Sequence, residues 1–145
     1  ETAFNEVVTA SKIVELLKTY GINEIYEKID NKTGIVAMIR GANPGKCIAL
    51  RADIDALPLT ETADIPYKSQ NDGAMHACGH DAHMSGLLGV ARIMNKSENI
   101  AKLHGSIKLL FQPAEEKYGG ALGMIKAGCL EEGSLGPRVD QVSIV

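Results

Sequence analysis

The chain has 145 residues, 45% of them hydrophobic and 23% charged, with a formal net charge of -3, values that suit one domain with a core of its own. The mildly acidic balance, the lack of any basic run and the 4% aromatic content exclude the clustered cations and stacking rings of a nucleic-acid surface. No apolar run is long enough to cross a bilayer and no charged-then-apolar leader opens the sequence, so the expectation is a cytoplasmic protein with no membrane partner.

Val7, Ala10, Ile13, Val14 and Leu17 recur at helical spacing and predict an amphipathic helix, with Asn5 placed to cap its start and Gly21 to end it. Residues 22–29 and 35–40 are β-branched runs joined by a turn at 30–34, and residues 46–52 follow the turn residues 41–45. Three strands in succession predict a meander. Within residues 83–94, Leu87, Leu88, Val90, Ala91 and Met94 read as a largely buried helix, residues 106–111 as a strand and residues 120–126 as a short helix before Gly128. Residues 140–145 form a β-type run with no turn after it, and residue 1 is not methionine, so incompleteness at both ends is expected. The order αβββαβαβ predicts an α/β fold, a sandwich with a mixed sheet.

Three constellations could carry chemistry. In Arg51-Ala52-Asp53-Ile54-Asp55 the strand period of two puts Arg51, Asp53 and Asp55 on one face at a strand's C-terminal end, the edge where open α/β sheets bind ligands. The plain alternative is a solvated strand end where Arg51 neutralises two carboxylates. Residues 75–83, Met-His-Ala-Cys-Gly-His-Asp-Ala-His, hold three of the four histidines and one of three cysteines. The cysteines, Cys47, Cys78 and Cys129, are odd in number and widely spaced, as expected of reduced thiols. Cys78 and His80, separated by Gly79 to relieve crowding, can reach one ion or a neighbouring pair, and Asp81 is placed to accept an imidazole N–H. A Cys/His catalytic pair is disfavoured, since such partners are normally brought together from distant positions. The structural alternative buries Cys78 as a small hydrophobe and uses the histidines to cap a helix starting near Ala82. His76 and His83 fit helix-start or substrate-contacting roles, and His104 a surface turn before Gly105. The third constellation, Phe111-Gln112-Pro113-Ala114-Glu115-Glu116, sets two carboxylates directly after an apolar strand, which is unfavourable unless a cation or shared proton relieves them. A plain acidic loop is the alternative.

Taken together, residues 51–58 (Arg-Ala-Asp-Ile-Asp-Ala-Leu-Pro), residues 75–83, residues 109–116 (Leu-Leu-Phe-Gln-Pro-Ala-Glu-Glu) and Gly-Gly-Ala at 119–121 resemble the metal-dependent N-acyl-amino-acid amidohydrolases. These include hippurate hydrolases, N-acetyldiaminopimelate deacetylases and plant auxin-conjugate hydrolases, within the aminoacylase and acetylornithine deacetylase metallopeptidase family. The resemblance spans residues 1–145 and implies the N-terminal portion of a zinc-peptidase-like catalytic domain, without the lid or dimerisation domain. It implies Cys78, His80 and Glu116 as metal ligands, Glu115 as general base, and Asp53 behind the ligand shell. Arg51 stands where the wider family has a ligating histidine, as in the amidohydrolase branch. The implied cofactors are two divalent ions, zinc or manganese with cobalt and nickel as alternatives, and the implied parent is a homodimer. The implied substrate is a small N-acyl amino acid or peptide, hydrolysed by metal-activated water whose proton Glu115 accepts and passes to the leaving amine. Similar proteins supply two further histidine ligands that have no counterpart here, so weak metal binding and little turnover are expected of this chain alone.

Overall fold

In the computed structural model, which describes residues 1–30, 32–117 and 119–145, helix α1 (Val7–Thr19) buries Ile13, Val14 and Leu17 as its spacing predicts. Its start differs from expectation. Asn5 donates to the Ala3 carbonyl at 3.4 Å, and the residue preceding the helix is Glu6, whose side chain makes no capping bond and is fully buried. At the other end the Gly21 N–H donates to the Lys18 carbonyl and the Ile22 N–H to the Leu17 carbonyl, the paired bonds that close a helix on a glycine. Ile22 is spent on that closure, so strand β1 (Ile25–Ile29) begins later than residue 22.

Strands β2 (Gly34–Arg40), β3 (Asn43–Asp53), β4 (His104–Gln112) and β5 (Gln141–Ile144) complete a five-stranded sheet of order β1-β2-β4-β3-β5. The turn predicted at 30–34 includes Asn31, which lies outside the described residues. β1 and β2 pair antiparallel, but the expected meander does not continue: β4 lies between β2, to which it is antiparallel, and β3, to which it is parallel. Residues 106–112 of β4 are buried on both faces, and a strand without a solvent face belongs in the middle of a sheet. The connection from β3 runs through helix α2 (His80–Met94), which carries the chain back so that β4 starts at the same end as β3. α2 begins at His80 rather than His83. A single unpredicted turn, α3 (Ser97–Ile100), precedes β4, and α4 (Gly120–Lys126) spans the predicted residues.

The result is a mixed-sheet α/β sandwich. α1 and α2 cover one face, where Leu17, Leu87, Ile39 and Phe111 are fully or nearly fully buried. α4 and the segment carrying Cys129 and Leu135 cover the other, against Val36, Ala49 and Leu110. Lys108 is buried on that second face, its Nζ donating to the carbonyls of Cys129 at 3.0 Å and Pro137 at 2.7 Å. Parallel pairing sets Asp53 beside Gln112, so the polar segments that follow β3 and β4 emerge together.

Candidate metal centre

Beyond the paired ends of β3 and β4 lie Asp55 and the Glu115-Glu116 segment, and α2 starts against them. Gly79 immediately precedes that helix with φ 80 and ψ 17. A Cβ there would meet nothing within 4 Å. Glycine is therefore suited to this position by its left-handed backbone rather than by the crowding the sequence suggested. The reversal brings Cys78 and His80 to one side: a ligand atom from each and from Glu116 lie within 4.8 Å of one another. His80 Nε2 is 3.8 Å from Glu116 Oε1 and 3.9 Å from Glu115 Oε2. Of the two glutamates, Glu116 is turned further inward, its side chain 22% exposed against 42% for Glu115.

The buried His80 ring is oriented from below. Its Nδ1 lies 2.8 Å from the Asp55 carbonyl, and since a carbonyl can only accept, Nδ1 carries the proton and the Nε2 lone pair points at Cys78 and Glu116. The Asp55 side chain, 1% exposed, accepts the backbone N–H of Glu115 at 2.9 Å and of Glu116 at 3.1 Å. One residue thus anchors the imidazole through its main chain and the glutamate loop through its carboxylate. Its signal in the sequence was only the period-two position after Asp53, which does not announce this double role.

Asp53 is likewise buried. It accepts from Arg51 Nη1 at 2.7 Å and bonds His83 Nδ1 at 2.7 Å, with His80 Nε2 3.6 Å away. Burial opposes its charge, but the His83 hydrogen bond and the Arg51 guanidinium beside it outweigh burial and hold its carboxyl below the ordinary range. Arg51 Nε also donates to Gln112 Oε1 at 2.9 Å, bridging the two strand ends. Asp53, His80 and His83 form a second group with ligand atoms within 4.8 Å. The Arg51 guanidinium already occupies the cation position beside Asp53, so this second group suits orientation of His80 and His83 better than holding an ion.

The remaining sequence candidates meet expectation only in part. Asp81 is exposed in the first turn of α2 and makes no side-chain hydrogen bond among the described residues; the Asp55 carbonyl and the Asp53 carboxylate take the acceptor role foreseen for it. The histidines make no cap at the α2 start. His76 is half-buried, and its Nδ1 is buried with no hydrogen-bond partner among the described residues. His104 is exposed and already within β4. Cys47 and Cys129 are buried free thiols, while Cys78 is exposed. The neighbouring Glu116 carboxylate is the main influence pushing the Cys78 thiol up, and the Glu115 and Asp53 charges add to it. Thiol, imidazole nitrogen and carboxylate facing one another form an electron-rich set that suits a shared divalent cation, which would reverse the effect on Cys78 and favour its thiolate.

Comparison with known proteins places this geometry among metallopeptidases. Residues 49–144 match the description of peptidase family M20/M25/M40. The chain is 46% identical over 132 residues to the hippurate hydrolase of Campylobacter jejuni, covering 91% of this chain and 33% of the relative. It is also 46% identical over 132 residues to thermostable carboxypeptidase 2 of Saccharolobus solfataricus, covering 90% and 33%. A Bacillus subtilis crystal structure, described as a dinuclear metal-binding peptidase from the M20 family, superposes with a TM-score of 0.89 at 41% identity, covering 99% of this chain and 38% of that one. The chain therefore spans about a third of the length of the curated relatives it matches.

Proposed function

The chain belongs to peptidase family M20/M25/M40, and from that premise we propose that it carries the first part of a metal-dependent amidohydrolase site. The reaction is hydrolysis of the amide bond of an N-acyl amino acid or small peptide. The observation that carries this reading is the convergence of Cys78, His80 and Glu116 with Glu115 beside them. The hippurate hydrolase and carboxypeptidase relatives support the substrate class.

Cys78 Sγ, His80 Nε2 and a Glu116 oxygen would hold a divalent ion, and the dinuclear relative supports a second. A thiolate–imidazole–carboxylate set suits zinc, with manganese, cobalt and nickel as alternatives. Such an ion supplies acidity to water and polarises an acyl carbonyl. Glu115, partly exposed and 3.9 Å from His80 Nε2, accepts the proton of the attacking water and returns it to the leaving nitrogen. Asp55 holds the Glu115 and Glu116 amides, which keeps base and ligand at fixed separation during that transfer. Because the chain spans about a third of its relatives, weak ion binding and little turnover are the proposal for the chain alone.

Calorimetric titration with zinc or manganese tests the site. Cys78→Ser and Glu116→Gln each weaken binding at least about tenfold, whereas Glu115→Gln leaves affinity near native and removes any hydrolysis of N-acetyl or N-benzoyl amino acids. Native affinity in both ligand variants overturns the reading. A non-catalytic, self-associating domain is the rival, favoured by the exposed edge strand β5 with Val142 and Ile144 at the surface; it expects concentration-dependent assembly that is indifferent to these three substitutions.

A further inference from the structure

Glu6 is a wholly buried carboxylate with no part in the proposed chemistry. Its Oε1 accepts two backbone N–H groups, from Phe4 at 2.9 Å and from Ala114 at 3.0 Å, and its Oε2 accepts the Thr33 hydroxyl. Phe4 and Ala114 are unusual donors: both are non-glycine residues in the left-handed region, with φ of 62 and 49. A side-chain-bearing residue pays a steric penalty in that region and stays there only when its surroundings hold it. Ala114 is also buried, at 1% exposure, so its N–H would have no solvent to turn to if Glu6 were withdrawn.

Ala114 directly precedes Glu115. Three consecutive amides, at Ala114, Glu115 and Glu116, are thus captured by two buried carboxylates, Glu6 on the first and Asp55 on the other two. Asp55 comes from the end of β3, on the site's own strand. Glu6 comes from the start of α1, 108 positions away from Ala114 in sequence. Between them they set the direction in which the chain leaves Pro113 and the two glutamate side chains depart from it.

We infer that Glu6 is a positioning residue for the candidate site: by fixing Ala114 in its left-handed conformation it aims Glu115 and Glu116 at Cys78 and His80, an inference that rests on the metal-site reading above. The role depends on the reach of the side chain rather than on its charge. Glutamine keeps the length; its carbonyl oxygen can still accept from Phe4 and Ala114 while its NH2 donates to the Thr33 hydroxyl. Aspartate keeps the charge but shortens the reach by one methylene and cannot span both partners.

The test compares Glu6→Gln, Glu6→Asp and Glu6→Ala in the 145-residue chain by two readouts, cobalt(II) affinity from its thiolate absorption band and backbone amide exchange at residues 114–116. Glu6→Gln is expected within about threefold of native cobalt affinity with the Ala114 amide still protected. Glu6→Asp and Glu6→Ala lose protection at Ala114 and bind cobalt at least about tenfold more weakly, the usual effect of removing a group that orients ligands. Should Glu6→Ala fail to fold, the Gln and Asp pair carries the comparison. Native protection and native cobalt affinity in Glu6→Asp overturn the inference, as does an equal loss in Gln and Asp. If the native chain binds no cobalt, the metal-site reading falls and takes the positioning role with it; Ala114 exchange then still reports whether the Glu6 contact itself exists.

Discussion

Replacing Asp55 by asparagine probes the junction on which the candidate centre is built. The native carboxylate accepts N–H groups from Glu115 and Glu116 at 2.9 and 3.1 Å, one on each oxygen. Asparagine has nearly the same shape, but whichever way its amide turns, its NH2 faces one of those two donors. One bond to a charged acceptor is lost, worth about 1.5–3 kcal/mol, and one buried N–H is stranded at a cost of about 1–3 kcal/mol. Because these overlap, a net loss of about 2–4 kcal/mol is expected, a large fraction of the stability of a domain this size. The main-chain carbonyl that holds His80 Nδ1 is untouched by the substitution, so Cys78 and His80 stay in place while the Glu116 backbone loosens. Urea unfolding should show a lower midpoint with an unchanged slope, and zinc titration a fall of about tenfold or more. A loss below about 1 kcal/mol together with native zinc affinity would refute the assignment of Asp55 as the anchor of the loop.

Gly79→Ala introduces a side chain at φ 80 where no atom obstructs it, so the expected cost is the conformational one alone, about 1–2 kcal/mol; thermal unfolding within 0.5 kcal/mol of native, on the order of ordinary surface changes, would contradict it. His76 concerns acid stability. Burial lowers its pKa from the ordinary 6.5, with the Asp81 charge opposing, so as pH falls through that region the unfolded chain binds more protons than the folded one and His76 costs stability. His76→Gln should remove that part of the acid decline, and a gap in thermal midpoint between variant and native that fails to widen between about pH 7.5 and about pH 5.5 would count against the burial argument. Ile144→Lys places a charge on the exposed edge strand, where Ile144 is 73% exposed; self-association measured by sedimentation should fall, with stability changed by less than about 0.5 kcal/mol.

The candidate cluster was legible because its chemistry is concentrated locally. Cys78 and His80 lie two positions apart, Glu115 and Glu116 are adjacent, and both pairs stand where regular elements begin or end. Helices α1, α2 and α4 were legible from their apolar spacing. The supports were not. Asp55 reaches Glu115 across 60 positions, and Glu6 reaches Ala114 across 108; no local pattern encodes such a meeting. Asp81 adjoins His80 in sequence and so reads as its acceptor, yet the first turn of α2 carries it to the surface, and the acceptor is the carbonyl of Asp55, two residues past the end of β3. The succession of β1, β2 and β3 predicts a meander, but β4, buried on both faces, takes the place between β2 and β3.

That central place of β4 has a kinetic consequence. The β1–β2 hairpin is local, but β2 and β3 have no contact along the sheet until β4 arrives from beyond α2 and α3 and pairs with both. Closing so long a connection before any ladder bond rewards it is slow. Glu116, which follows β4, then meets Cys78 and His80 among the last events of folding. Ion affinity should therefore appear on the timescale of the slowest refolding phase.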